Sequence, residues 1–159
     1  MKPLKSDFPN FVQFSLNIED RLINPHIEDA YKFDVRPQLE SLAVDIYNYD
    51  GSLTTKPQLK NFFQDYILEW WVRLAYKRFI ALHGKNVTQF GFTQTKDPGG
   101  TFDQLEAADR AVILKQISSD AAVCLNYALQ QEWVFDTVTY RKPGRCRDRV
   151  SNFGINVLD

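Results

Sequence analysis

The chain has 159 residues, 44% hydrophobic and 25% charged, which is the size of one ordinary domain with enough apolar material for a core. A formal net charge of −1 argues by itself for neither nucleic acid nor an acidic substrate. The longest unbroken apolar run is Ala121–Leu125, which excludes a helical membrane span of about 20 apolar residues.

The opening MKPLKSDFPNFVQF has early lysines but no apolar block of about 7–15 residues, so no secretory signal is expected. Two cysteines, Cys124 and Cys146, make no disulfide framework, and a reducing compartment is the expectation. Residues before Phe11, with Pro3 and Pro9, read as a flexible terminus. From Phe11 to Ile18, Phe14, Leu16 and Ile18 alternate with Gln13, Ser15 and Asn17, a period of two that predicts a short strand or extended arm.

Asn24-Pro25 predicts a helix start, with Ile27, Ala30 and Tyr31 on its apolar side and a stop before Pro37. Pro37 opens a second short helix through Leu39, Leu42, Ala43, Ile46 and Tyr47, ended by the turn signal Asp50-Gly51-Ser52. Thr55-Lys56-Pro57-Gln58 matches a capping box. After Pro57 no glycine or proline intervenes before Gly84, a C-terminal cap signal, so the spacing predicts a helix within 56–83 of about 26 residues, about 39 Å long. Residues 84–100 form a long connection, tied down in part by Val87, Phe90 and Phe92 and closed by the turn Asp97-Pro98-Gly99-Gly100.

Overlapping caps at Thr101/Gln104 and Asp103/Glu106 predict a second long helix over 103–133. Its apolar positions include Leu105, Ala108, Val112, Ile113, Ile117, Cys124, Ala128 and Leu129. Thr137–Tyr140 alternates again, and Pro143-Gly144 breaks the chain. The fold class is therefore mainly α: a small bundle with two long antiparallel helices, an extended N-terminal arm and an extended basic C-terminal tail. Residues 1–136 form the helical domain and 137–159 the tail.

Catalytic and metal chemistry finds no foothold. His26 and His83 sit on different predicted helices without ligand-like spacing, and no phosphate-cradling glycine loop occurs. Asp65 and Glu69 lie one turn apart, but Glu69 stands four residues before Arg73, the pattern of a solvated ion pair. Cys124 on an apolar helix face reads as a small hydrophobe. No catalytic residue, cofactor or metal site is assigned.

Two features ask for a partner. On the first long helix, Leu59, Phe62, Phe63, Tyr66, Ile67, Trp70, Trp71, Leu74 and Ala75 cover an arc of about 220°, where a stripe of about 100° suffices to face one core. Either the helix is central in its own bundle, or Trp70 or Trp71 faces another protein, since adjacent residues cannot point at one spot. The second feature is charge segregation. Residues 1–136 carry 14 basic and 18 acidic side chains, whereas 137–159 carry Arg141, Lys142, Arg145, Arg147 and Arg149 against two acids. If extended, Arg145, Arg147 and Arg149 project to one side, suiting an acidic groove or a phosphate backbone. Val150, Phe153, Ile155, Val157 and Leu158 follow, and a tail so apolar expects to dock. Trp70, Trp71, Arg141, Lys142, Arg145, Arg147, Arg149 and Phe153 are the candidate partner-binding residues.

The run Ile23-Asn24-Pro25-His26-Ile27-Glu28-Asp29-Ala30, followed by Lys32-Phe33-Asp34-Val35-Arg36-Pro37-Gln38-Leu39, and the later Asn86-Val87-Thr88-Gln89-Phe90-Gly91-Phe92-Thr93 before a charged long helix, resemble the head–tail connector (adaptor or head-completion) proteins of tailed phages and prophages. The similarity spans roughly residues 23–133. It implies a helical subunit without catalytic residues, usually twelve to a ring under the portal protein and touching tail or further neck proteins. DNA would pass the channel without specific binding, and the protein would reside in the virion neck after assembly in the host cytoplasm. The alternative is a nucleic-acid-binding regulator whose basic arm grips phosphates around a helical dimerisation core, against which a near-neutral charge and the lack of a helix-turn-helix signature count.

Overall fold

A computed structural model describes residues 1–49, 57–83, 87–88, 91–92, 101–135 and 138–143. The fold is mainly α. Helix α1 (Asp20–Ala30) runs through a π-helical turn (Tyr31–Val35) into α2 (Arg36–Leu39), and α3 (Ser41–Tyr47) follows. The long central helix comprises α4 (Pro57–Phe62), a second π-helical turn (Phe63–Ile67) and α5 (Leu68–His83). Hairpin β1 (Val87–Thr88) with β2 (Gly91–Phe92) lies within the predicted long connection, in the register Val87 opposite Phe92. Helix α6 (Thr101–Gln130) leads to a second antiparallel hairpin, β3 (Val134–Phe135) with β4 (Val138–Thr139).

The two long helices are antiparallel, as the spacing predicted. Phe62, near the start of the central helix, meets Trp133 just past the end of α6, while Arg73 farther along meets Asp120 farther back. In α1, Ile23, His26, Ile27 and Ala30 are buried, the i, i+3, i+4, i+7 stripe of an amphipathic helix.

Three predicted boundaries are corrected. The first helix starts at Asp20, so Pro25 lies inside it and leaves the Arg21 carbonyl without its usual intrahelical donor. Burial of Ile23 draws the extra turn onto the core before the proline. That helix also does not stop before Pro37, because the π-turn carries it into α2, where Pro37 sits in the first turn. The break falls instead at Glu40, whose backbone has φ 49° and ψ −119°.

The N-terminal segment is neither strand nor free end. Lys5–Asn10 forms a 3-10 helix with Phe8 fully buried. Phe14 packs on Phe8, Phe79 and Tyr76, and the Tyr76 hydroxyl donates to the Gln13 carbonyl at 2.8 Å. Leu16 is exposed while Ile18 is buried, so the period-two pattern does not mark a pleated strand. The Met1 ammonium donates to the carbonyls of Ile46, Tyr47 and Tyr49, placing a cation at the C-terminal end of α3 where the helix dipole favours it.

The predicted signals at Asp50-Gly51-Ser52, Thr55, Gly84 and Asp97-Pro98-Gly99-Gly100 lie outside the described residues.

Candidate functional site

The wide apolar arc of the central helix is satisfied within the chain. Trp70 and Trp71 are both buried, together with Val72, Ala75, Tyr76, Phe79 and Ile80. The Trp71 ring stacks on Tyr31, with centroids 5.4 Å apart, and on Tyr47, and meets the edge of Phe63. The expectation that one tryptophan faces a partner is therefore not met. The helix is central, with α1 on one side and α6 on another, and adjacent residues about 100° apart each find a covered direction.

Of the basic candidates, Arg141 and Lys142 are exposed. They follow Tyr140, which is buried, donates its hydroxyl to an Asp45 carboxylate oxygen on α3 and its amide to the Trp133 carbonyl at 2.8 Å. The first residues of the predicted tail thus belong to the body. Arg145, Arg147, Arg149 and Phe153 lie outside the described residues.

Uncovered apolar surface occurs instead on α6. Val112 is 68% exposed, Tyr127 58% and Val123 49%, with Ile113 beside them. The buried side of the same helix carries Ile117, Ala121 and Ala128. Val112 and Ile113, two of the apolar positions of the predicted helix, therefore face outward. Apolar residues occur all around α6, so the sequence pattern does not single out one stripe. Among the exposed described residues between Ala111 and Gln130 only Lys115 is charged. Farther on, Val134 and Val138 of the hairpin are also exposed, and Val134 borders a shallow groove of 410 Å³ shared with Asn61, Tyr66 and Glu132.

Polar clusters lie between the helices. Arg73 donates to Glu69 at 2.7 and 2.9 Å and to Asp120 of α6 at 3.0 Å. What read as a solvated ion pair on one helix is a bridge between two. Cys124 sits half-buried near it, and burial first, then the Glu69 carboxylate, pushes its thiol up from the ordinary value, keeping it a protonated, poorly nucleophilic group at neutral pH.

The two histidines, separated by 57 residues of sequence, meet with Nε2 atoms 3.0 Å apart. A ring nitrogen lies about 1.2 Å from its ring centre, so centroids 5.2 Å apart leave these nitrogens almost head-on, the geometry of one N–H···N bond. No group of three or more metal-ligating side chains occurs among the described residues, and none of their helices is long and apolar enough to cross a membrane.

Comparison with family models, curated proteins and solved structures gives no match to this chain.

Proposed function

We propose that the chain is a structural subunit that acts through protein–protein contact, a ring-forming adaptor of the phage neck between portal and tail, as its resemblance to head–tail connectors implies. The observation that carries this reading is the uncovered face of α6. A row of Val112, Val123 and Tyr127 with a single exposed charge nearby suits a protein partner, since interface cores are depleted in charge and rich in tyrosine. It does not suit a phosphate backbone, which calls for clustered Lys and Arg.

The test pairs the full chain with a portal protein taken from the same genome and reads assembly by light scattering and electron microscopy. The wild-type chain should form rings or portal-bound complexes. The double variant Val123→Glu/Tyr127→Glu should keep its helical circular dichroism and lose assembly. Equal assembly by that variant would overturn the role of this face. Retention on DNA that weakens steeply with salt would favour the nucleic-acid-binding alternative.

A further inference from the structure

His26 and His83 join two separate elements, α1 and the last residue of α5. His26 is only 5% exposed, and its Nδ1 is buried with no hydrogen-bond partner. That orphaned atom fixes the direction of the bond to His83. Were His83 the donor, the neutral His26 ring would carry its proton on Nδ1, and a buried N–H would go unmatched, the rarer and costlier arrangement. His26 therefore donates from Nε2 to the Nε2 lone pair of His83, and the His26 ring is neutral.

This arrangement has no room for another proton. A proton on His83 Nε2 sets two N–H groups head-on at 3.0 Å. A proton on His26 Nδ1 buries a cation with an unmatched donor. The charged groups that face His26 do little to compensate. Asp29, on the same helix, favours the charged form of His26, whereas His83 and Arg78 of α5 oppose it. Arg78 is itself engaged with Asp34 at 2.8 Å and lies over the Phe33 ring. Phe79 presses its ring against both histidines, and Phe14 of the N-terminal segment packs on Phe79.

We propose that His26 and His83 form a proton-sensitive clasp, whose Nε2 contact holds the C-terminal end of the central helix against α1 and which opens when His26 takes up a proton. Opening frees one end of the helix and leaves its middle, where Trp71 is anchored, in place. The device is local because the contacts around Trp70, Trp71 and Ala75 carry no titrating histidine.

Hydrogen exchange on the full chain at pH 7.5 and 5.5, corrected for the intrinsic pH dependence of exchange, tests the clasp. Residues 23–30 and 77–83 should lose severalfold more protection than residues 68–74 at the lower pH, up to the ceiling of about tenfold that one histidine with an open-state pKa of about 6.5 can supply at pH 5.5. His83→Gln, whose side-chain carbonyl can still accept from His26, should keep most of that difference, and His26→Phe should abolish it. Nitrogen NMR of the wild-type rings gives a second readout that needs no variant: at pH 7.5 His26 should be the Nε2–H tautomer. An Nδ1–H tautomer of His26, or the same acid-induced loss of protection in His26→Phe as in the wild type, would overturn the proposal.

Discussion

The Trp71 indole N–H donates to the Ile27 carbonyl at 2.9 Å, joining the central helix to α1 across 44 residues of sequence. Ile27 is buried, and its carbonyl also accepts the backbone N–H of Tyr31, the residue at which the π-turn begins. The indole is a second donor to that carbonyl, while its ring fills the space between Tyr31, Tyr47 and Phe63. Trp71→Phe keeps an aromatic ring in the stack but removes the donor. A loss of about 1–3 kcal/mol is expected, and Trp71→Ala should lose about 3–5 kcal/mol. Urea unfolding followed by circular dichroism measures both; equal costs would mean that the hydrogen bond and the lost ring volume had been apportioned wrongly.

Glu40 offers the opposite sign. Its φ of 49° with ψ of −119° is the conformation of the first central residue in a type II′ turn, which glycine adopts without a Cβ clash. A non-glycine residue held there costs about 1–3 kcal/mol. Glu40→Gly should raise stability by about 1 kcal/mol, after the added freedom of the unfolded chain is set against the relieved strain. An unchanged or lower urea midpoint would show that the Glu40 side chain contributes more than its backbone costs.

The long elements were legible because their signals are local. From Pro57 to His83 the chain carries no internal glycine or proline and repeats apolar residues at helical spacing, and the helix forms there. The break at Glu40 was not legible, since neither glycine nor proline marks it and the backbone there is bent by the packing of α2 and α3 on either side. The outward face of α6 escaped for a different reason: Val112 and Ile117 are equally apolar, and only the position of the neighbouring helix decides which one is covered. The histidine pair was invisible because spacing rules read residues on one element, whereas this contact exists only after α1 and α5 have packed. For the tryptophans, the breadth of the apolar arc was read correctly as burial on two sides, and the structure assigns both sides to the chain itself.

The histidine pair sets a pH dependence whose sign is determined. Burial first, then the neighbouring His83, pushes the His26 pKa below its ordinary value. Above about pH 6.5, the unfolded-state value, neither state binds the proton, and the stability is fully present. As pH falls below that value the unfolded chain takes up a proton that the folded chain resists, so stability declines until the lowered folded-state pKa is reached. Urea midpoints should therefore fall between pH 7 and 5, and His26→Phe should flatten that limb. A midpoint that rises on acidification over this interval would contradict the burial of a neutral ring.

The last expectation concerns where the body ends. Composition placed the boundary at Asp136, but β4, Tyr140 and the Asp45 contact all lie beyond it. A chain ending at Asp136 loses the strand that pairs with β3, the donor to the Trp133 carbonyl, and the Tyr140 ring packed 5.9 Å from Phe135. Burying a side chain of that size contributes about 1.5–3 kcal/mol, and a hydrogen bond to a carboxylate about as much again. The chain ending at Asp136 should therefore be less stable than one ending at Pro143, and Tyr140→Phe in the full chain should reproduce the hydroxyl's share. Equal urea midpoints for the two shortened chains would remove Tyr140 from the body. The chain ending at Pro143 also separates anchoring from docking, because it keeps Tyr140, Arg141 and Lys142 and lacks Arg145, Arg147, Arg149 and Phe153. Loss of portal binding in that chain, with its stability intact, would place the docking element in the arginine row and the apolar residues after it; full binding would return that role to the exposed face of α6.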